Sequence, residues 1–495
     1  MADDFELTTP PLKPPLQNTS APRDREPEDA DLARLKAWHE ERMARKLRGE
    51  YETAVFHLSE LVNDNLQSPA RIAAIRVEGA THTRRSFLNS LVHPFLVNDP
   101  QKPQTLENVL HSARAFGHVL HETDIFQSIG AKLEASRDVY ASPGDVDVVF
   151  KTKEKGRFFL STSTEIGNNE GGASASCRVR NVFGGAETFE ANLAFALKTR
   201  VSFNASLSAP ITRTLGTRGE ISVYGLDKDN SFFASHQEGV RGLKAVLRTG
   251  KMNTGLHELG YEAVLRQISN LAPSASISMR EAAGQSIKSA VFHTWTRDTR
   301  DDRLLGTRGS YLKTIQELAG LGGDASYFKT EVHGQLSRPL FPHLTASFAA
   351  KTGLLWPTGD KPVPFSDRFQ LGGPTSVRSF RANGLGPRDG PDSLGGTLFW
   401  SAGLSLITDI PRKSHWPVKL QGYLNAGRLD NLDKSKTPEE IIKSAFTQPS
   451  ISAGVGMVYK LDPVRVEVNF GVPLVVSKGD GSRKGIQVGV GVDFL

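Results

Sequence analysis

Beyond about residue 156, apolar side chains recur at every second position. Phe189, Ala191, Leu193, Phe195 and Leu197 alternate with Glu190, Asn192 and Lys198, and Val201, Phe203, Ala205 and Leu207 with Ser202, Asn204, Ser206 and Ser208. Leu398, Trp400, Ala402, Leu404 and Leu406 oppose Ser401, Gly403 and Ser405, while Val418, Leu420 and Leu424 oppose Lys419, Gln421 and Asn425. Near the C-terminus Val464, Val466, Val468 and Phe470 oppose Arg465, Glu467 and Asn469, and Ile486, Val488, Val490, Val492 and Phe494 oppose Gln487, Gly489, Gly491 and Asp493. Successive strand residues point to opposite faces, so each run predicts a strand with one apolar and one polar face. A soluble sandwich alternates in the same way. The spans are close to the roughly 10 residues that cross a bilayer, however. Their polar face carries charges and glycine as well as Ser and Thr, and no helical spacing interrupts them. An apolar exterior around a polar interior is the arrangement of a transmembrane β-barrel, since only a closed sheet leaves no unpaired backbone in lipid. About 16 antiparallel strands fit into 157–495, with 270–300 the ambiguous stretch.

The first 156 residues have a different rhythm. Residues 1–31 are Pro-rich, with scattered charges and few large apolar side chains, and predict a disordered tail. Over 32–69 the spacing of Leu32, Leu35, Trp38, Met43, Leu47, Tyr51, Val55, Leu58 and Leu61 is helical. Residues 70–155 read as one small β-α-α-β-β module. A strand with Ile72, Ile75 and Val77 ends at Gly79, and two helices follow, one with Phe87, Leu88 and Leu91, the other over Thr105–His121. Two strands, Ser128–Arg137 and Val146–Lys153, flank the turn signal Ser142-Pro143-Gly144.

Composition removes several classes. No run reaches the roughly 18 to 20 apolar residues of a membrane helix, an exclusion that does not extend to strands. The single Cys177 makes no intrachain disulfide. Asp3, Asp4 and Glu6 at the start fit neither a secretory signal nor a transit peptide, so export through a cleaved signal is not expected. The formal charge of +6 divides into −5 over residues 1–70 and +11 beyond, but no recognition helix or zinc spacing accompanies the basic part, and nucleic acid is not an expected partner. His118 and His121 lack a matching carboxylate, so no metal and no cofactor is expected. The charges in Thr296–Asp302 read as a paired lumen or rim segment, not as catalytic machinery. Gly320-Leu321-Gly322-Gly323 lacks the Lys-Ser/Thr of a phosphate loop and reads as a turn. No enzymatic activity is expected.

One connection, residues 356–392, is long and rich in Gly and Pro, and loops of that length are usually functional or disordered. It contains Gly372-Gly373, then Val377-Arg378-Ser379-Phe380. With the small module ahead of the barrel, this resembles the inward loop of the outer-membrane β-barrel assembly superfamily, whose signature is Val/Ile-Arg-Gly-Phe after a Gly-Gly pair. The module is similar to a POTRA (polypeptide-transport-associated) domain, and the match is nearest to the core channels of mitochondrial sorting and assembly (SAM) machineries. Ser379 stands where the signature has Gly and lacks glycine's freedom at positive φ, which argues against an atom-by-atom copy of the family's loop backbone. Arg378, brought into a lumen, must find carboxylate or carbonyl partners to offset its desolvation, and Glu467 is a candidate.

The resemblance implies an insertase that folds β-barrel precursors into the mitochondrial outer membrane, with the module in the intermembrane space. Its implied partners are precursors carrying a β-signal, accessory subunits of an assembly complex, and outer-membrane lipid. Gln487, Gly489, Val492 and Phe494 themselves match the polar-x-Gly-x-x-hydrophobic-x-hydrophobic pattern of such a signal. Leu495 follows the last aromatic, unlike the terminal aromatic usual in bacterial outer-membrane proteins, and this favours a mitochondrial membrane. A gate is expected between a first strand containing Phe158, Phe159, Leu160, Ser161, Thr162 and Ser163 and a last strand over Lys484–Leu495. Gly485, Gly489 and Gly491 are expected to weaken that last strand by lacking side chains to pack. The alternative is a passive pore for solutes or polypeptides, which needs neither a module nor a motif-bearing loop.

Overall fold

The computed structural model describes residues 29–47, 59–96, 105–138, 140–167, 170–196, 201–212, 215–359, 361–411, 416–432, 437, 439–440, 446–461, 464–491 and 494–495. Most of the expected N-terminal tail, and Val492 of the expected last strand, lie outside them. The chain divides into two compact units: residues up to Arg76, Pro94–Gly117 and Gly130–Lys151, and then Val77–His93, His118–Ile129 and Thr152–Leu495.

The first helix, α1, spans Asp29–Leu47 and so begins inside the segment expected to be disordered. An α/β segment follows, with β1 (Arg71–Glu78), α2 (Arg85–Leu96), α3 (Leu106–Glu122), β2 (Phe126–Ala135) and β3 (Asp145–Glu154) forming a three-stranded sheet in the order β1-β3-β2. Helical spacing produces the helices: Leu88, Leu91 and Val92 are the buried face of α2, and Val109, Ala113, Phe116 and Leu120 that of α3. Phe116 meets Phe95 and Phe150 edge to face, with ring centroids 5.4 and 5.0 Å apart.

Sixteen antiparallel strands make up the second architecture. They begin with β4 (Phe158–Gly167), β5 (Glu170–Arg180), β6 (Thr188–Ala196), β7 (Ser202–Pro210), β8 (Thr217–Asp229), β9 (Gln237–Lys251), β10 (Gly255–Ser269) and β11 (Gly284–Asp298). Next come β12 (Gly309–Gly323), β13 (Tyr327–Phe341) and β14 (Leu344–Pro357). A two-stranded hairpin, β15 (Arg388–Asp389) with β16 (Asp392–Ser393), sits apart in the connection that follows. The sheet resumes with β17 (Leu398–Asp409), β18 (Val418–Asp430), β19 (Ser450–Leu461), β20 (Val464–Val475) and β21 (Gly485–Gly491). Each strand pairs with its neighbour in sequence, and β17 pairs directly with β14. The strands β4 and β21 are the ends of this order, and no ladder joins them among the described residues. Two short helices, α4 (Ser231–Ala234) and α5 (Ile277–Glu281), lie in connections, and the ambiguous stretch 270–300 resolves into α5 followed by β11.

The two faces of the sheet decide between the soluble and membrane readings. Leu259, Leu265, Phe348, Leu404, Leu424, Phe470 and Val488 are exposed, whereas Arg266, Lys288, Ser401, Gln421, Asn425, Glu467 and Asn469 are buried. Apolar side chains outside and polar ones inside reverse a soluble domain and match a wall facing lipid. The sheet is curled: Arg465 on β20 touches Leu304, in the turn before β12, at 3.2 Å, yet six strand intervals separate β20 from β12, about 29 Å in a flat sheet.

Three sequence expectations change. The Gly320–Gly323 run is no turn. It forms the end of β12, where positive φ at Gly320, Gly322 and Gly323 accommodates a bulge opposite Lys288 and Ala290. The long connection runs from 358 to 397 rather than 356–392, because β14 continues to Pro357 and β17 starts at Leu398. The last strand is described over Gly485–Gly491, and Phe494 and Leu495, expected to continue it, lie in no strand and are buried in the interior at 7% and 4% exposure.

Candidate functional site

The interior is organised around the 358–397 loop. Its turn is made by Gly372 and Gly373, at φ of 108° and 118°. A Cβ on Gly372 would lie 2.5 Å from the Leu385 side chain and 2.8 Å from the Arg381 carbonyl, so both conformation and space demand glycine there. Apolar side chains of the loop, Val363, Phe369, Leu371, Val377, Phe380 and Leu385, pack with Tyr327, Leu355, Phe399 and Leu429 of the wall.

Arg378 is fully buried at the centre. Its Nε and Nη2 donate to one oxygen of Glu467 at 3.0 and 2.9 Å, and its Nη1 donates to Asn425 Oδ1 at 3.2 Å and to the main-chain oxygen of Leu495 at 2.8 Å. The guanidinium also lies over the Tyr423 ring, 4.8 Å from its centroid, and near Phe494 at 5.9 Å. Glu467 is equally buried. Asn469 donates to the same oxygen at 2.8 Å, and Arg465 forms an ion pair with the other. A buried charge is tolerable only with such a full set of partners. The alternation of β18 and β20 placed these polar side chains on the inner face, and the loop brings Arg378 to them.

The next two motif residues clamp the last strand. Ser379 N–H donates to Gln487 Oε1 at 2.8 Å, and Gln487 Nε2 donates to the Phe380 carbonyl at 3.0 Å. Arg483 N–H donates to the Ser379 carbonyl at 2.9 Å, and Arg381 N–H to the Gly481 carbonyl at 2.8 Å. Ser379 adopts φ of 66°, the left-handed conformation its sequence position had put in doubt. An L-residue there costs roughly 1–2 kcal/mol. Ser379→Gly is therefore expected to raise stability by about 1 kcal/mol with the loop unmoved, measured by urea titration of the purified protein. A lower midpoint would show that the serine side chain outweighs the strain.

Gly489 and Gly491 do more than leave the last strand without side chains to pack. Built Cβ atoms would meet Pro374 and Phe494 at 3.1 to 3.3 Å from Gly489 and Thr375 at 3.5 Å from Gly491, so these glycines admit the loop against the last strand. Gly485 has open space around it and turns the chain into β21 at φ of 104°. Phe494 is likewise not on the outward face with Ile486, Val488 and Val490. It faces inward, its ring 5.0 Å from the Arg465 guanidinium. On β4, Phe158, Phe159 and Leu160 are all exposed, while Ser161 and Ser163 pair through their hydroxyls with Ser176 and Ser174 of β5 at 2.6 and 2.7 Å. Thr162, between these serines, is exposed.

Sequence reasoning missed the other anchors of the loop. Asp367 forms an ion pair with Arg266 at 2.7 Å and accepts from the Tyr327 hydroxyl at 2.7 Å. Asp392 accepts from Ser276 N–H at 2.8 Å, and Asp389 from the Ser278 hydroxyl at 2.8 Å, which ties the β15–β16 hairpin to the start of α5. Asp480, between β20 and β21, accepts from Gly386 N–H at 2.9 Å; burial pushes its carboxyl above the usual range despite its bonds to Ser450 and Gly386. Lone acids in a loop carry no spacing signal, and none of these could be read before the fold. Among the described residues no three His, Cys, Asp or Glu side chains converge as a metal site.

The Omp85 superfamily domain matches residues 181–494. A SAM50-like protein of Schizosaccharomyces pombe is 35% identical over 445 residues, covering 88% of this chain and 94% of that protein. The human sorting and assembly machinery component 50 homolog is 32% identical over 406 residues, covering 81% and 86%. BamA from Haemophilus ducreyi lacking POTRA domains 1-3 superposes with a TM-score of 0.70 over 85% of this chain and 84% of that one, at 18% identity, a likeness of fold alone. This chain belongs to the Omp85 superfamily and, within it, to the SAM50 family of sorting and assembly machinery components.

Proposed function

We propose that this protein folds and inserts β-barrel precursors into the mitochondrial outer membrane, acting without catalysis as the core of an assembly complex. Its relatives are named for a sorting and assembly machinery, and a POTRA-like module ahead of the barrel, placed in the intermembrane space, suits the reception of precursors with accessory subunits. The observation that carries the reading is the inner bracing of β21. Its ladder with β20 has seven residue pairs among the described residues, and from inside the motif loop bonds Gln487 at both ends of its amide and lays Pro374 and Thr375 against Gly489 and Gly491. A last strand fixed to an internal loop can keep its place without a ladder to β4, and none joins the two among the described residues. The free edge of β4 then templates the client's β-signal by β-augmentation. Each arriving hairpin enters lipid with its backbone paired, avoiding several kcal/mol per unsatisfied group. A passive pore has no use for a loop that fills the interior.

A cysteine scan of 158–163 against a β-signal peptide bearing one cysteine tests this. Disulfide adducts are expected at β4 positions, alternating in yield along the strand, and a peptide lacking the signal's polar and glycine positions should give none. Adducts that ignore the peptide's sequence, or none on β4, would sink the gate.

A further inference from the structure

The loop 358–397 enters from the end of the sheet where β14 stops. The opposite end, where β4 begins, carries residues 299–308 between β11 and β12, and this connection is braced into a fixed shape. Asp301 accepts from the N–H groups of Thr307 and Arg308 at 2.9 and 3.1 Å, and Asp302 from those of Leu304 and Leu305 at 2.8 and 3.3 Å. Arg300 holds Asp298 through Nε and Nη2 at 3.0 and 2.9 Å. The braced turn points inward: Leu304 and Leu305 are 7% and 8% exposed, although they lie in a connection between two strands.

Its tip reaches the opposite wall. Asp302 forms an ion pair with Lys460 of β19, and the Leu304 carbonyl accepts from Arg465 Nη1 of β20 at 3.2 Å. Arg465 is bound to Glu467, whose other oxygen holds Arg378. One carboxylate thus links the turn from one mouth of the barrel with the loop from the other.

We infer that residues 299–308 are a plug that closes the mouth at the β4-starting end, and that Arg465 is the positioning residue coupling its seat to the motif loop. The plug is built for release. Lys460 and Asp302 are 32% and 31% exposed, and ion pairs open to solvent hold weakly, so the seat depends on a contact that a competing charge can displace. Arg465 is buried and makes the firmer contact, so displacement of the turn is felt at Glu467 and from there at Arg378. The inference does not rest on the assembly reading, because it concerns the barrel alone, with no client present.

Two measurements on the full-length protein test it. Carbodiimide joins an amine and a carboxylate only when they touch, so treatment of the unaltered protein should yield a linked peptide pair Lys460–Asp302. Recovery of both peptides unlinked would overturn the plug. In planar bilayers Lys460→Glu, which leaves the Asp302 bonds to Leu304 and Leu305 in place, should raise the unitary conductance about twofold, and Lys460→Arg, which keeps the charge, should leave it at the parental value. Parental conductance in Lys460→Glu, or a raised one in Lys460→Arg, would overturn the plug as well. If Lys460→Glu does not assemble, the carbodiimide result decides alone. Arg465→Ala should raise conductance and lower the yield of the Lys460–Asp302 link, with Arg465→Lys recovering most of both. A parental yield in the alanine variant would remove Arg465 from the coupling role.

Discussion

Alanine at Arg378 is expected to lower the stability of the folded barrel by roughly 3–5 kcal/mol, the usual consequence of removing one member of a buried ion pair. Glu467 would keep Arg465 and Asn469 but lose two donors at 3.0 and 2.9 Å, in a place that water does not reach. Asn425 and the Leu495 oxygen would each lose a partner as well. The measurement is urea unfolding of the purified protein, read as the change in gel mobility between folded and unfolded barrels. Arg378→Met should recover part of the loss, because it fills most of the vacated volume and leaves Glu467 paired with Arg465. Recovered stability without recovered client insertion would separate the loop's structural role from its role in assembly. A loss below about 1 kcal/mol for the single variant would mean that the loop is held mainly by its apolar contacts.

Locking the two end strands together is expected to abolish client insertion. Cysteines replacing Leu160 or Thr162 on β4 and Val488 or Val490 on β21 lie on exposed positions of both strands. Once oxidised they would hold the seam shut. Insertion of a radiolabelled precursor into isolated membranes should fall to background and return on reduction, while an equivalent disulfide between β9 and β10 should have no effect. Insertion that proceeds through a verified crosslink would remove the gate from the mechanism and leave the assembly role to be carried by another surface.

Much of the architecture was legible in alternation. In β20, Arg465, Glu467 and Asn469 stood opposite Val464, Val466, Val468 and Phe470, and burial follows that division. The same reasoning failed at Phe494. It continued the alternation of Ile486, Val488 and Val490, but Phe494 lies in no strand and leaves the outer face to cover Arg378 and Arg465. The periodicity of a strand carries no mark of where pairing stops. Nor did it show that a glycine such as Gly489 also makes room for a loop.

By itself the sequence determined the two-faced strands, the α/β segment ahead of them and the motif in the long connection, because period and turn chemistry act over a few neighbouring residues. Only the tertiary structure decided that Arg378 meets Glu467, that Asp367 meets Arg266, and that the turn at 299–308 reaches β19 and β20. Those contacts join residues 89, 101 and 158 positions apart, and they exist because the sheet curls and encloses its connections. A buried charge selects its partner by distance in three dimensions and by desolvation, and neither is expressed in the local order of residues.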